Sequence, residues 1–221
     1  MLNRRLALLG ALAPLAARAQ QPDPLREFFR MIELDSRSAV LEALLRGMDP
    51  NVLAPNGQRP LHWALMHESG QALDGLLADP RTDVEAENAS GERPLMLAAL
   101  RGRLAWAQLL VRHGAAVEPK RGQKTWGALH YACSGPDQGV STWLLDQGAD
   151  INARSENGST PLMMAFGYGS LDSADVLLKR GADTTLRNDL GLDAWDFARK
   201  AGRSDAAQRM GLRPTSVSEK P

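Results

Sequence analysis

One short phrase recurs along this chain at a nearly fixed distance, and that recurrence constrains the fold more than composition does. Pro60-Leu61-His62-Trp63-Ala64 is followed by Pro94-Leu95-Met96-Leu97-Ala98, Ala128-Leu129-His130-Tyr131-Ala132 and Pro161-Leu162-Met163-Met164-Ala165. The alanines stand 34, 34 and 33 residues apart, and a further 33 reaches Ala198 in the degenerate copy Asp193-Ala194-Trp195-Asp196-Phe197-Ala198. A second phrase follows at constant distance as Leu76-Leu77, Leu110-Val111, Leu144-Leu145 and Leu177-Leu178, and three copies run into Gly-Ala at 114, 148 and 181. Proline suits the first helical position, where its missing N–H is not needed and its φ is already set. Glycine suits the left-handed residue that closes a helix. Each unit therefore reads as helix, turn, helix and extended finger. No unit can bury its apolar face alone, so stability comes from stacking.

The pattern resembles the ankyrin-repeat family, whose consensus is G-x-T-P-L-H-x-A, a second helix ending in L-L, then G-A-D-x-N-A. Residues 158–183 carry it best, through Gly158, Thr160-Pro161-Leu162, Ala165, Gly169, Leu177-Leu178 and Gly181-Ala182-Asp183. The resemblance covers roughly residues 25–203 and implies an all-α solenoid of helix-turn-helix units with β-hairpin-like fingers. It divides the chain into a capping helix pair at 20–56, repeats at 57–90, 91–121, 122–157 and 158–190, a closing cap at 191–203 and a partly disordered tail at 204–221.

Residues 1–19 read as an address. Arg4-Arg5 precedes the apolar run Leu6–Ala17, and Ala17-Arg18-Ala19 offers small residues for a cut after Ala19. Twelve residues rise only about 18 Å as a helix, short of the roughly 30 Å hydrocarbon core of a bilayer. The expectation is a cleavable signal peptide and a periplasmic or secreted product. With the opening Phe28-Phe29 and Leu44-Leu45-Arg46-Gly47-Met48-Asp49-Pro50-Asn51, this export signal makes the chain similar to bacterial periplasmic ankyrin-repeat proteins. The 26 Lys and Arg balance the 26 Asp and Glu, and cleavage removes three arginines and no acid, leaving a net charge of minus three. Neither balance attracts nucleic acid. The single cysteine, Cys133, can form neither an internal disulfide nor a multi-cysteine zinc site.

The repeats depart from the consensus where its threonine and histidine support one another. Arg59, Arg93, Gly127 and Thr160 fill the threonine position, and His62, Met96, His130 and Met163 the histidine position, so no full repeat has both. The expectation is that this internal network is missing, with a lost cap costing about 0.5–2 kcal/mol per helix. The third repeat also has a finger one residue longer, and Ser134-Gly135-Pro136-Asp137 is expected to end its first helix early.

Catalytic signatures do not emerge. His67-Glu68-Ser69-Gly70-Gln71 starts like a zinc-protease helix but lacks the second histidine, and Gly167-Tyr168-Gly169 is an inter-helix turn, not a dinucleotide loop. Met163-Met164 occupies packing positions. Asn88-Ala89-Ser90 and Asn157-Gly158-Ser159 have the form of glycosylation sequons. The reading is a chain that is not an enzyme and takes no cofactor or metal. It is expected to bind another protein, with neither nucleic acid nor stable membrane insertion after cleavage, as a monomer. Two alternatives stand beside it: a metal-binding or hydrolytic enzyme built on His62, His67 and nearby acids, and a membrane-tethered spacer that keeps its N-terminus.

In ankyrin proteins the contacts come from finger tips, the residue after the consensus glycine and the end of the first helix. The resemblance therefore implies Trp126 and Glu92 after the glycine, His67, Arg101 and Tyr168 at the helix ends, and Lys120, Arg154, Glu156 and Arg187 on the fingers. Trp126 leads this group, because tryptophan is enriched among residues that dominate binding energy. Trp63, Trp106, Trp143 and Trp195 fall at positions expected to pack in the core.

Overall fold

The computed structural model describes residues 23–118 and 125–214. The expected signal peptide, Lys120 and the end of the tail lie outside them. The described residues form six helix pairs: α1 Pro24–Glu33 with α2 Arg37–Leu45, α3 Pro60–Met66 with α4 Gly70–Leu77, α5 Pro94–Leu100 with α6 Leu104–Arg112, α7 Ala128–Ser134 with α8 Gln138–Asp146, α9 Pro161–Gly167 with α10 Leu171–Lys179, and α11 Ala194–Lys200 with α12 Ser204–Arg209.

The first helices stand in one row, α1 on α3 and so on to α11, while α2 packs on α4 and α6, α8 and α10 follow one another behind them. A seven-residue helix has little stability alone. Its leucine and alanine sides supply the rest: Leu61, Ala64 and Leu65, Leu95, Ala98 and Ala99, Leu129, Ala132 and Cys133, and Leu162, Ala165 and Phe166 are all buried. This 3-and-4 spacing puts one apolar side of each helix against both neighbours. Residues 204–212 extend the closing cap by a short helix and complete the last pair, with Ala207 and Leu212 buried.

The fingers hold no strand among the described residues, and their hairpin-like tips are closed by turn bonds such as Ala54 N–H to the Gln58 carbonyl and Asn88 N–H to the Glu92 carbonyl. Side chains tie one finger to the next. Asn51, Glu85, Glu118 and Asn152 occur 34, 33 and 34 residues apart, and each accepts a backbone N–H of the following finger: Asp83 at 2.8 Å, Ala116 at 3.0 Å, Asp150 at 3.0 Å and Asp183 at 2.9 Å. At the finger turns, Ala89 N–H donates to the Gly57 carbonyl at 2.9 Å and Asp189 N–H to the Asn157 carbonyl at 3.0 Å. An edge that would otherwise expose unpaired backbone is thus satisfied between units.

The helix starts correct two expectations. Helix α7 runs the same seven residues as its counterparts, with Gly135 as an extended closing residue, so the Gly-Pro turn does not shorten it. The network expected to be missing is rebuilt from other atoms. Thr160 Oγ accepts from Met163 N–H at 3.4 Å, while the Met96 and Met163 sulfurs each accept the N–H of the residue preceding the helix at 3.4 Å, and His130 Nδ1 does so for Gly127 at 3.2 Å. Arg59 reaches the Glu87 carbonyl at 2.6 Å and also the Asn51 carbonyl. Buried Arg93 pairs with Glu85 at 3.0 Å. Capping is lost at the arginines, but their length is used to fasten one unit to the next.

The turns between paired helices differ along the chain. Asp35, Glu68 and Gly102 have φ of +52°, +58° and +65°. Asp35 uses that position to cap a neighbour, its Oδ1 accepting from Ala72 N–H in α4 at 2.9 Å. Gly169 is required for another reason: a Cβ there would lie 1.7 Å from the Cys133 carbonyl oxygen.

Candidate protein-binding surface

First helices and fingers meet at an inner angle, and a groove lies in that angle at each end of the solenoid. The N-terminal groove has a volume of about 510 Å³ and sets Phe29 and Trp63 against the finger residues Ala54 and Pro55, with Arg26, Arg30 and Glu33 at its edge. The C-terminal groove has a volume of about 540 Å³ and sets Met164, Tyr168 and Phe197 against Trp126 and Leu190, with Lys200 as its charged side chain. A smaller hollow of about 180 Å³ between Leu100, Trp126, Tyr131 and Ser134 continues the face inward.

One column of the repeat contributes to all three hollows. Phe29, Trp63, Leu97, Tyr131, Met164 and Phe197 follow one another at 34, 34, 34, 33 and 33 residues. Trp63, Tyr131 and Phe197 are half-buried, with one side of each on the core. The same period that revealed the repeats would have found this column, but the family's usual contact positions drew attention to other ones. Trp63 packs against the core as expected and also forms a wall of the groove. Trp106, Trp143 and Trp195 are also half-buried, not enclosed.

The residues singled out from sequence have different fates. Trp126 is half-buried, and its ring meets His130 and Tyr131 edge-on at centroid distances of 5.4 and 6.5 Å. Tyr168 is 66% exposed and meets Phe197 edge-on at 6.4 Å. Exposed His67 meets Trp63 in a tilted ring contact at 4.5 Å, Arg101 is exposed at the end of α5, and Glu156 is exposed on its finger. Glu92 is committed internally: its carboxylate accepts from Tyr131 Oη at 3.1 Å and Asn88 Nδ2 at 2.7 Å, and its carbonyl takes His62 Nε2 at 2.7 Å. Arg154 donates to the Arg187 carbonyl at 2.6 Å. Arg187 donates to the Gly191 carbonyl at 2.6 Å and pairs at 3.3 Å with the buried Asp193 carboxylate, which caps α11. The surface thus brings Trp126 and Tyr168 together, while Glu92, Arg154 and Arg187 brace it.

Electrostatics follow burial. Desolvation lowers the pKa of His62 and His130 and keeps both neutral. His130 carries its proton on Nε2, which donates to the Ser159 and Ala153 carbonyls at 3.1 and 3.2 Å, because Nδ1 already accepts from Gly127. Burial, then the charges of Glu92 and Glu156 and the bond to Glu92, push Tyr131 up to about 12. Complete burial raises the Cys133 thiol, which suppresses the reactive thiolate. Asn88 is buried with its amide engaged, which removes that sequon as a glycosylation site. Among the described residues no three His, Cys, Asp or Glu side chains converge as a metal site requires. No described helix is long and apolar enough to cross a membrane.

Two helical layers, tied fingers and a continuous inner face define a helical-repeat solenoid. The comparisons sharpen the class: residues 29–121 and 116–188 match the family model for ankyrin repeats (3 copies), and the chain belongs to the ankyrin-repeat family. It is similar to the NF-kappa-B inhibitor cactus of Drosophila melanogaster, 31% identical over 52% of this chain and 23% of that protein. It is likewise similar to a putative ankyrin repeat-containing protein of Treponema pallidum (strain Nichols), 32% identical over 56% of this chain and 42% of that one. The chain thus spans less than half the length of these curated relatives. The crystal structure of the ankyrin repeat domain of Bcl-3, a member of the IkappaB protein family, superposes with a TM-score of 0.66 at 28% identity, covering 82% of this chain and 81% of that one. The family is one of protein-interaction modules, and that is the class to which this chain belongs.

Proposed function

We propose that this protein is a non-catalytic binding module, exported to the periplasm or otherwise secreted, that grips another protein along its inner face. The observation that carries the reading is the column from Phe29 to Phe197, which lines the hollows of the inner face and in which Trp63, Tyr131 and Phe197 are half-open to solvent. Rigid aromatic rings provide contact area at small entropic cost, and they are the residues on which binding energy concentrates. The NF-kappa-B inhibitor cactus is a relative that by its name acts on another protein, which supports the same type of role here. Export rests on residues 1–19 and on a chain whose lone thiol is buried.

Affinity capture from the periplasmic fraction of the native source tests this, run with the parent and with Trp126→Ala, and with intact mass measured on the same sample. The expected result is a stoichiometric partner lost in the variant and a mature chain that begins at Gln20. A chain retaining residues 1–19 would refute the export reading, and equal recovery by parent and variant would remove Trp126 from the contact.

A further inference from the structure

The C-terminal groove has a chemical bias that its N-terminal counterpart lacks. Its floor is Met164 and Phe197, its walls are Trp126, Tyr168 and Leu190, and Lys200 is its charged lining residue. Tyr168 and Leu190, 66% and 79% exposed, both line this groove and so hold apolar surface open to solvent within it. The polar groups at the groove are mainly hydrogen-bond donors. Lys200 and Tyr168 offer N–H and O–H groups, while Asn157 uses its Oδ1 to accept from Ser155 Oγ at 2.7 Å and Ser159 N–H at 3.1 Å, leaving the amide nitrogen as its unspent polar atom. Among the described residues no acidic side chain lines it. An occupant must therefore carry apolar bulk for the rings and acceptors for the donors. A cationic side chain would find aromatic faces but would also meet Lys200.

We infer that this groove receives an extended segment of the partner protein that presents one or two large apolar side chains followed directly by carboxylates. The segment lays its apolar residues between Trp126, Tyr168 and Phe197 and its acids against Lys200. This rests on the binding-module reading and assigns the partner's chemistry at one end of the face. The volume of about 540 Å³ lies within the range of sites that enclose a few side chains.

The test uses the full chain and fluorescein-labelled octapeptides read by anisotropy: Gly-Ser-Leu-Phe-Asp-Glu-Gly-Ser, the same with Lys-Lys for Asp-Glu, and the same with Ser-Ser for Leu-Phe. The acidic peptide is expected to bind roughly tenfold more tightly than either control. Tyr168→Ala and Leu190→Ser, both at exposed positions, are expected to weaken it, and Lys200→Glu to reverse the preference between acidic and lysine peptides. Equal binding of all three peptides, or an unchanged preference in Lys200→Glu, would overturn the assignment. So would concentration-dependent dimerisation that Leu190→Ser abolishes, since the occupant would then be a second copy. If capture of the native partner depends on Trp126 but is indifferent to Lys200→Glu, the binding-module reading survives and this inference fails.

Discussion

At the N-terminal end of the inner face Trp63 is held: its Nε1–H donates to Glu33 at 3.1 Å, Phe29 meets it edge-on at 5.6 Å and His67 covers it at 4.5 Å. At the C-terminal end Tyr168 stands largely in solvent beside Phe197, and the groove edge carries a cation without an acid. The turns differ in the same direction. Asp35 and Glu68 adopt left-handed backbone at the start of the chain, whereas Gly169 near its end has ordinary φ and close backbone contact. One repeat plan therefore yields an end that uses its aromatic side chains to finish its own packing, and an end that leaves them available. The difference lies in how many partners each ring and each turn already has.

The most disruptive way to break this comparison is Gly169→Ala. Its methyl would meet backbone at 1.7 Å, and the expected loss is about 3 kcal/mol or more, at the upper end of overpacking costs. Denaturant unfolding should show it, and a loss below about 1 kcal/mol would mean that the close approach relaxes freely. Ala132→Leu tests the row of first helices midway between the ends, since Ala132 is fully buried where α7 meets its neighbours; about 1–3 kcal/mol is expected. An unaltered melting temperature would show that the helices have room there.

A pH titration compares the two buried histidines. Burial holds their folded-state pKa below the unfolded value of about 6.5, so the unfolded chain takes up protons first. Their contribution is complete above about 6.5 and is lost as pH falls toward the lowered folded value. Burial moves Glu118 in the opposite sense: its contribution is present below the ordinary carboxylate range and lost as pH rises through the raised value. Comparison with variants isolates the histidine effect. Stability measured from about pH 7.5 downward should fall less steeply in His62→Asn and in His130→Asn than in the parent. His130→Asn should cost more at neutral pH, because both ring nitrogens of His130 are bonded while His62 Nδ1 is buried without a partner. Parallel slopes for parent and variants would remove the histidines from the acid response.

The smallest effect is expected from Glu68→Gly. Left-handed backbone costs a residue with a side chain roughly 1–2 kcal/mol, and glycine escapes that cost. The variant also loses the exposed ion pair of Glu68 with Arg103, which solvent screening keeps weak. A net gain of a few tenths to about 1 kcal/mol is expected, and a clear loss would show that the ion pair outweighs the strain.

Much of this architecture was legible in the chain. Period, helix order, proline at the helix starts and glycine at the helix ends all follow from local rules that neighbouring units do not alter. What escaped depended on reach across units. Arg59 and Arg93 looked like missing caps because a cap is judged by its own helix, yet their guanidinium groups bond to fingers 23–28 residues away. Met163 reads as a simple packing residue, although its sulfur, like that of Met96, accepts a helix-start N–H. Glu92 looked free for a partner because no local rule relates it to Tyr131, 39 residues further on. The inner face is legible as a region, but the column from Phe29 to Phe197 lies outside the family's usual contact positions and shows only in this chain's own residues.

The bonds between fingers give the solenoid a sense of direction. Each described unit ends in a side-chain oxygen at residue 51, 85, 118 or 152 that fits the N–H opening the next finger, so every junction is a plug meeting a socket of the same form. Asparagine and glutamate serve equally as the plug, which makes the junction indifferent to the identity of the unit that follows. Units joined this way can be duplicated, deleted or exchanged while the register survives, leaving evolution free to change the inner face one repeat at a time.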